Sequence, residues 1–594
     1  MIQRKSGITN LGIPQHKDTR VATGQPTSTD RMFHALIGRY TGFISPDSMT
    51  LAWVDWFLHL SSSPGKQQRL VENAARESSH FLIAASKALV SRGPEQCVEP
   101  LVHDQRFKAS QWQNWPFCSI YQGFLIQHQW WNGATTGIGG MSEHHQKLAS
   151  FFSRQLLDVA SPSNFIATNP EVLEATWRET GQNLLRGWTH YLEDIEHHLD
   201  GSPPQGSEFF RPGVEVAVTP GEVVFRNDLM ELIQYSPQTE KVFRSPLLLI
   251  PAWIMKYYIL DLSPHNSLVR YLVERGHTVY MISWRNPTAK DRDLGMDDYF
   301  RSGALAALEQ VRQREECEKV HAVGYCLGGT LLAILASWLA HQHRDDLASV
   351  TLLAAQTNFT EPGELGLFID ESQLDFLDDV MWDQGYLDSR QMSGAFQLLR
   401  SRDVIWSRIV KRYLLGEKDT LTDLMAWNAD ATRMPYRMQS EYLRRLFLGN
   451  DLFEGRYRLD GHTLALGDIR VPSFLVATET DYVAPWRSVY KFNLVVHSGV
   501  TFLLTSGGHN AGICSEPGHL GRRFRYQSSP SSGNYVDPDV WYQQTPAQPG
   551  SWWPIWADWL EHGQLQREAA TLRSNEAGLP AAPGTYVMMR NERL

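Results

Sequence analysis

The sequence predicts an α/β protein: a mostly parallel sheet covered by helices on both faces, behind a mostly helical N-terminal domain. Three observations predict it. Breaker residues at Gly201-Ser202-Pro203-Pro204-Gln205-Gly206 mark a change of pattern. Beyond them short apolar runs alternate with amphipathic stretches, the pattern of parallel strands and crossover helices. Finally, K-V-H-A-V-G-Y-C-L-G-G-T-L-L-A-I-L-A-S-W-L-A, from Lys319 to Ala340, reads as a buried strand, a sharp turn and a helix.

Taken in order, residues 1–30 are polar and aperiodic and read as a flexible tail. Residues 31–205 form the helical domain. L-A-W-V-D-W-F-L-H-L from Leu51, the long stretch from Leu70 to Val90, Tyr121 to Trp131 and His144 to Val159 all repeat apolar residues at helical spacing. The stretch from Pro170 to Trp188 reads as one further helix. Residues 206–594 form the second domain. A strand pair is expected over Val216 to Phe225, and strands at P-L-L-L-I-P from Pro246, H-T-V-Y-M-I-S from His277, the run ending at Gly324, and A-S-V-T-L-L-A-A from Ala348. A helix is expected from Asp261 to Gly276, and another from about Tyr299. From about residue 361 to 455 the alternation lapses into aromatic-rich helical segments, which predicts a cap inserted above the strand ends. Strands resume at V-P-S-F-L-V-A-T from Val471 and G-V-T-F-L-L-T from Gly499.

The turn at Gly324-Tyr325-Cys326-Leu327-Gly328 carries the chemistry. G-x-C-x-G places Cys326 where an α/β-hydrolase carries its nucleophile, on a strained elbow. Gly324 and Gly328 follow from crowding across so tight a turn. The helix that begins after Cys326 would favour thiolate and offer backbone amides to an oxyanion. The competing readings are a nucleotide-binding turn and an inert core cysteine; neither G-x-G-x-x-G nor Gly-Lys-Ser/Thr is present. A thiol needs a base, and the base an orienting acid. Asp481 and His509 follow the last two predicted strands, in the chain order nucleophile, acid, histidine that α/β-hydrolases use. Asp481 could equally cap a turn before Pro485, and His509 could lie at the surface; Asp261, Asp297 and Asp298 compete for the acid role. Cysteine in place of serine suits a thioester, and an apolar site under a cap suits acyl transfer to an acceptor other than water. The residues alone lead to acyl transfer or hydrolysis by a cysteine.

Composition bounds the rest. With 42% hydrophobic and 20% charged residues the chain is ordinary globular protein, and a net charge of −10 argues against a dedicated nucleic-acid binder. Twenty tryptophans suggest apolar aromatic surfaces, or simply core packing. The five cysteines, Cys97, Cys118, Cys317, Cys326 and Cys514, show no paired or zinc-like spacing, and the histidines show no H-E-x-x-H, so no metal is expected. The start lacks the apolar core of a signal peptide and no apolar run spans a membrane, so a cytoplasmic location is expected.

Longer motifs carry a resemblance. K-Y-Y-I-L-D-L-S-P-H-N-S-L-V-R-Y from Lys256, G-H-T-V-Y-M-I-S-W-R-N-P from Gly276, G-Y-C-L-G-G-T, W-N-A-D-A-T-R-M-P from Trp427, D-Y-V-A-P-W at Asp481, G-G-H-N-A-G at His509, G-S-W-W-P-I-W from Gly550 and D-Q-R-F-K-A-S-Q-W from Asp104 occur in order. With them the chain resembles the polyhydroxyalkanoate synthases, in particular class I, the poly-3-hydroxybutyrate synthases that work as one kind of subunit. The resemblance implies polymerisation of (R)-3-hydroxyacyl-CoA to polyester with release of CoA and no cofactor. It implies Cys326 as acyl carrier, His509 as base, and Asp481 orienting His509 or activating the 3-hydroxyl. Backbone amides of Leu327 and of the loop carrying Ala252 and Trp253 would hold the oxyanion, and Trp427 would pack by the nucleophile or in the cap core. Tyr482 stands where many members carry a histidine, and Gly508 where a serine often precedes the base. A homodimer at the surface of polyester granules is implied, with no nucleic acid and no transmembrane segment. The alternatives are a cysteine-dependent acyl-CoA thioesterase or polyester depolymerase of the same fold, and a non-enzymatic granule-coat protein.

Overall fold

The computed structural model describes residues 27–91, 104, 106–200, 204–399, 401, 405–418, 420–531, 533–562, 566–570 and 578–590. Most of the expected flexible tail, residues 1–26, lies outside them, as do Gly201, Ser202 and Pro203 of the expected boundary.

Among the described residues, seven α-helices come first: α1 (Ser28–Thr41), α2 (Pro46–Ser61), α3 (Pro64–Ser91), α4 (Phe117–Thr135), α5 (Glu143–Val159), α6 (Pro170–Arg178) and α7 (Gln182–Asp200). Their starts are written in the sequence. Thr27 and Asp30 form a capping box on α1, Ser45 caps α2 with Pro46 in the first turn, and Asn169 caps α6 ahead of Pro170. The single helix expected from Pro170 to Trp188 is instead two. Thr180 and Gly181 take left-handed φ values of 50° and 84°, which an α-helix cannot continue through.

Among the described residues the main sheet has ten strands: β1 (Gly221–Arg226), β2 (Met230–Tyr235), β3 (Leu247–Ile250), β4 (Val279–Trp284), β5 (Val320–Tyr325), β6 (Leu347–Leu353), β7 (Ser473–Thr478), β8 (Val500–Thr505), β9 (Arg523–Ser529) and β10 (Gln548–Pro549). Their spatial order is β1-β2-β4-β3-β5-β6-β7-β8-β9-β10. The run from β4 to β8 is parallel, and antiparallel pairs close both edges. In β4, β5, β7 and β8 every residue is buried, as a sheet covered on both faces requires. The expected strand pair over Val216 to Phe225 proves to be β1 alone, whose partner is β2, and β9 and β10 were not expected. The expected helix from Asp261 starts only at Leu268, where the Ser267 side chain caps the Arg270 amide; Tyr257–Asp261 before it is a 3₁₀ turn.

Between β6 and β7 the chain leaves the sheet to build a helical cap, including Glu371–Gln384, Asp423–Ala429 and Tyr436–Glu441. The N-terminal helices meet this cap. His34 Nδ1 lies 2.7 Å from Asp379 Oδ2, Ser48 Oγ donates to Asp370, and Arg412 and Tyr413 both bond Asp194. A Cβ on Gly187 of α7 would stand 1.8 Å from the Tyr413 carbonyl oxygen, so helix and cap touch backbone to backbone. No helix among the described residues is long and apolar enough to cross a membrane.

Candidate active site

Because β5, β6, β7 and β8 are parallel neighbours, the loops leaving their C-terminal ends open on one edge of the sheet. Cys326 follows β5, Asp481 follows β7 and His509 follows β8. Cys326 has φ 52° and ψ −123°, a conformation that costs a non-glycine residue on the order of 1–3 kcal/mol. Its amide is bonded to the Leu353 carbonyl, and the helix Leu327–His341 begins at the next residue. The glycines around it are fixed by crowding, as expected. A Cβ at Gly324 would fall 2.4 Å from the Cα of Gly329, and one at Gly328 would fall 2.0 Å from the Ile250 carbonyl oxygen. The second contact presses the loop after β3 against the elbow.

Asp481 is buried and receives four hydrogen bonds. Oδ1 accepts from the amides of Val483 and Ala484, both at 2.8 Å; Oδ2 accepts from Thr478 Oγ1 at 3.0 Å and lies 2.8 Å from His509 Nδ1. A carboxylate held this way has one orientation and fixes that of the imidazole. His509 Nε2 is buried, and Cys326 is the group close enough to it to act on the ring's charge. Burial alone would lower the His509 pKa; the Asp481 carboxylate and then the Cys326 sulfur outweigh it and hold the imidazole well above its ordinary value. The Tyr325 ring lies 5.8 Å from the imidazole, and its hydroxyl donates to Asn510 Oδ1 at 2.6 Å, bracing the loop on the far side.

The competing acids are occupied elsewhere. Asp261 Oδ1 accepts from Thr219 and Ser267 hydroxyls, and burial raises its pKa; Asp298 accepts from the Gly295 amide, and Asp297 lies in the same first helical turn. The amides of Ala252, Trp253 and Leu327 donate to no protein group among the described residues. Three uncommitted donors thus sit on the elbow and on the loop pressed against it, the supply an oxyanion hole needs. The Trp253 side chain is buried against Tyr299. Trp427 is buried in a core cluster against which Cys326 packs, with its indole donating to the Lys256 carbonyl at 2.7 Å. Tyr482 is largely exposed, and a Cβ at Gly508 would make only ordinary contact with the Thr480 carbonyl at 3.5 Å. The sequence reading did not single out Thr478, Asn510, Asn428 or Thr432. Asn510, Asn428 and Thr432 nevertheless lie inside the quoted motifs around His509 and Trp427.

A family model described as alpha/beta hydrolase fold matches residues 245–512. Two more, described as poly-beta-hydroxybutyrate polymerase (PhaC) N-terminus and poly-beta-hydroxybutyrate polymerase N terminal, match residues 103–272 and 24–66. The chain is 40% identical over 501 residues to a poly(3-hydroxyalkanoate) polymerase of Methylorubrum extorquens, covering 84% of this chain and 82% of that one. The chain belongs to the PhaC polymerase family. A PhaC subunit of Rhizobium etli is 37% identical over 82% of this chain and 77% of its own, and one of Cupriavidus necator 33% identical over 84% and 85%. The α/β-hydrolase core expected from the elbow is thus the core of a PhaC-family protein.

Proposed function

We propose that the protein polymerises (R)-3-hydroxyacyl-CoA into polyester with release of CoA, through an acyl group carried on Cys326. The observation that supports this reading is the His509 imidazole, fixed by Asp481 on one nitrogen and leaving the other buried beside the elbow cysteine of a PhaC-family chain. Cys326 Sγ attacks the thioester carbonyl while His509 Nε2 holds the proton that the thiol has given up. The oxyanion takes hydrogen bonds from the Leu327 amide and from Trp253 or Ala252. Collapse expels the CoA thiolate, which recovers the proton from His509. A 3-hydroxyl then attacks the acyl-cysteine, His509 accepts its proton and returns it to sulfur, and the chain is longer by one ester. Asp481 acts on His509 and not on the hydroxyl, because all of its hydrogen bonds are made inside the protein and its side chain is fully buried.

The single-subunit class, dimer formation and residence on cytoplasmic polyester granules belong to the same reading. Exposed apolar side chains on the N-terminal helices, among them Phe57, Trp177 and Leu199, offer surface for such contacts. The test is CoA release from (R)-3-hydroxybutyryl-CoA by the wild type and by Cys326→Ala, with turbidity followed in parallel. Release with insoluble polymer from the wild type alone is expected. Release with free hydroxy acid and no polymer would make the protein a thioesterase instead, and polymer from Cys326→Ala would remove the cysteine from the mechanism.

A further inference from the structure

Trp427-Asn428-Ala429-Asp430-Ala431-Thr432-Arg433 belongs to the cap by sequence, yet nearly every polar group it offers is spent on the loops of the active site. Trp427 Nε1 donates to the Lys256 carbonyl at 2.7 Å, and Asn428 Oδ1 accepts from Asn510, the neighbour of His509, at 3.1 Å. Asp430 pairs with Lys256 Nζ at 2.9 Å and accepts from the Tyr258 hydroxyl at 2.9 Å. Ala431 bridges Met255 in antiparallel fashion, the Thr432 amide donates to the Ile254 carbonyl at 3.1 Å, and the Thr432 hydroxyl donates to the Trp253 carbonyl at 2.7 Å. The Arg433 amide closes the strap on Asn286 Oδ1 at 3.0 Å.

The loop held in this way, Pro251 to Tyr258, is the one that carries the uncommitted Ala252 and Trp253 amides. A peptide plane is rigid, so fixing the Trp253 carbonyl fixes the Ile254 amide in the same plane and narrows the Trp253 amide one plane back. The Thr432–Trp253 bond is buried at both ends, where a lost hydrogen bond leaves an orphaned carbonyl free to turn in search of a donor.

We propose that Thr432 is a positioning residue of the oxyanion hole: through the Trp253 carbonyl it aims the amides of the loop after β3 at the thioester oxygen, with Asp430 as the second anchor through Lys256 and Tyr258. The proposal rests on the acyl-enzyme reading above. It makes the cap a working part of the site, because oxyanion stabilisation then depends on a segment inserted between two strands far along the chain.

Thr432→Val keeps shape and removes the hydroxyl; Thr432→Ser keeps the hydroxyl. The readouts are kcat and KM for CoA release from (R)-3-hydroxybutyryl-CoA, and the rate of alkylation of Cys326 by iodoacetamide, followed on the peptide that carries it. Alkylation forms no oxyanion, so it reports the thiol and His509 alone. Thr432→Val is expected to lose about 10- to 100-fold in kcat, short of the loss of a donor itself, with KM and alkylation within about twofold of wild type. Thr432→Ser should recover most of the rate. Asp430→Asn, as the second variant, should lose several-fold in kcat with alkylation unchanged. Full kcat in Thr432→Val, alkylation falling in step with kcat, or failure of Thr432→Ser to recover it would each overturn the proposal. A wild type that alkylates normally and releases no CoA would overturn the acyl-enzyme reading, and this proposal with it.

Discussion

In β5, β7 and β8 every side chain is buried, and the loops that leave these strands spend their hydrogen bonds on one another. Along α7, Leu185, Trp188, Leu192 and Leu199 face outward, and on α1 and α2 so do Met32, Phe33, Leu36, Tyr40, Val54, Phe57 and Leu58. Both regions approach a neighbour backbone to backbone, at Gly328 in the elbow and at Gly187 on the cap. These strands thus enclose their apolar side chains, whereas the N-terminal domain divides its own between the cap and the outside. The candidate site sits at the half-buried ends of fully buried strands, and contact-making surface sits where much is exposed. Four sets of variants sharpen or break this division.

The largest effect belongs to Cys326→Ala. CoA release should fall by at least about 10⁴-fold while the melting temperature holds or rises, because the substitution removes the proposed nucleophile and adds no volume. Alanine also keeps the strained φ of 52°, so any residual turnover above background would point to an acyl carrier outside the core.

Asp481→Asn comes next, with kcat lower by roughly 10³- to 10⁴-fold, since an amide can present the wrong partner to His509 Nδ1. It also carries a pH signature. Burial pulls the His509 pKa down, and Asp481 with Cys326 raises it above the ordinary imidazole value. A raised folded pKa contributes stability that is fully present below the unfolded value of about 6.5 and is lost as pH rises through the folded value. The denaturation midpoint of the wild type should therefore decline across that alkaline window, and that of Asp481→Asn should not. Parallel curves would show that His509 stays neutral in the fold.

Much of this site is legible in the sequence because its determinants are local. G-Y-C-L-G encodes a turn whose glycines are demanded by contacts within a few residues or with the next strand, and the strand ends before Asp481 and His509 are continuous apolar runs. What could not be read depends on partners distant in the chain. β2, M-E-L-I-Q-Y, looks too polar for a buried strand. Glu231 is nevertheless fully buried, because the Thr585 and Tyr586 amides and the Arg226 guanidinium satisfy its carboxylate from elsewhere. β9, R-F-R-Y-Q-S-S, is half exposed and gives no apolar run to find. The helix expected after Asp261 failed for a similar reason: that carboxylate is spent on Thr219 and Ser267, not on a helix start. Thr432 reads as an ordinary cap residue until the fold brings Trp253 beside it.

The two close-contact glycines set the core and the N-terminal domain side by side. In Gly328→Ala the new methyl would stand 2.0 Å from the Ile250 carbonyl oxygen, and the loop bearing the proposed oxyanion donors must move. Activity should fall about 100-fold or more, in line with misaimed donors, and stability by about 3 kcal/mol. Gly187→Ala makes an equally severe clash, at 1.8 Å, but against Tyr413 in the cap. Its cost in stability should be similar and its effect on kcat small. Equal loss of kcat in both variants would mean that the N-terminal domain shapes the elbow directly.

The smallest effect tests the grip itself. Asp379, buried on the cap helix Glu371–Gln384, faces His34 at 2.7 Å and Arg31 at 3.4 Å, both from α1. Asp379→Asn keeps the shape and removes the charge that faces Arg31 and His34. Pairs of this kind, open to solvent on one side, contribute about 1 kcal/mol or less, so the melting temperature should fall by only about 2 °C and kcat should stay within about twofold. Salt provides the control: the difference between wild type and variant should shrink as ionic strength rises, because screening weakens the pair in the wild type alone. A difference that persists in high salt would assign the effect to the 2.7 Å hydrogen bond between His34 and Asp379, which screening does not reach, and not to long-range charge.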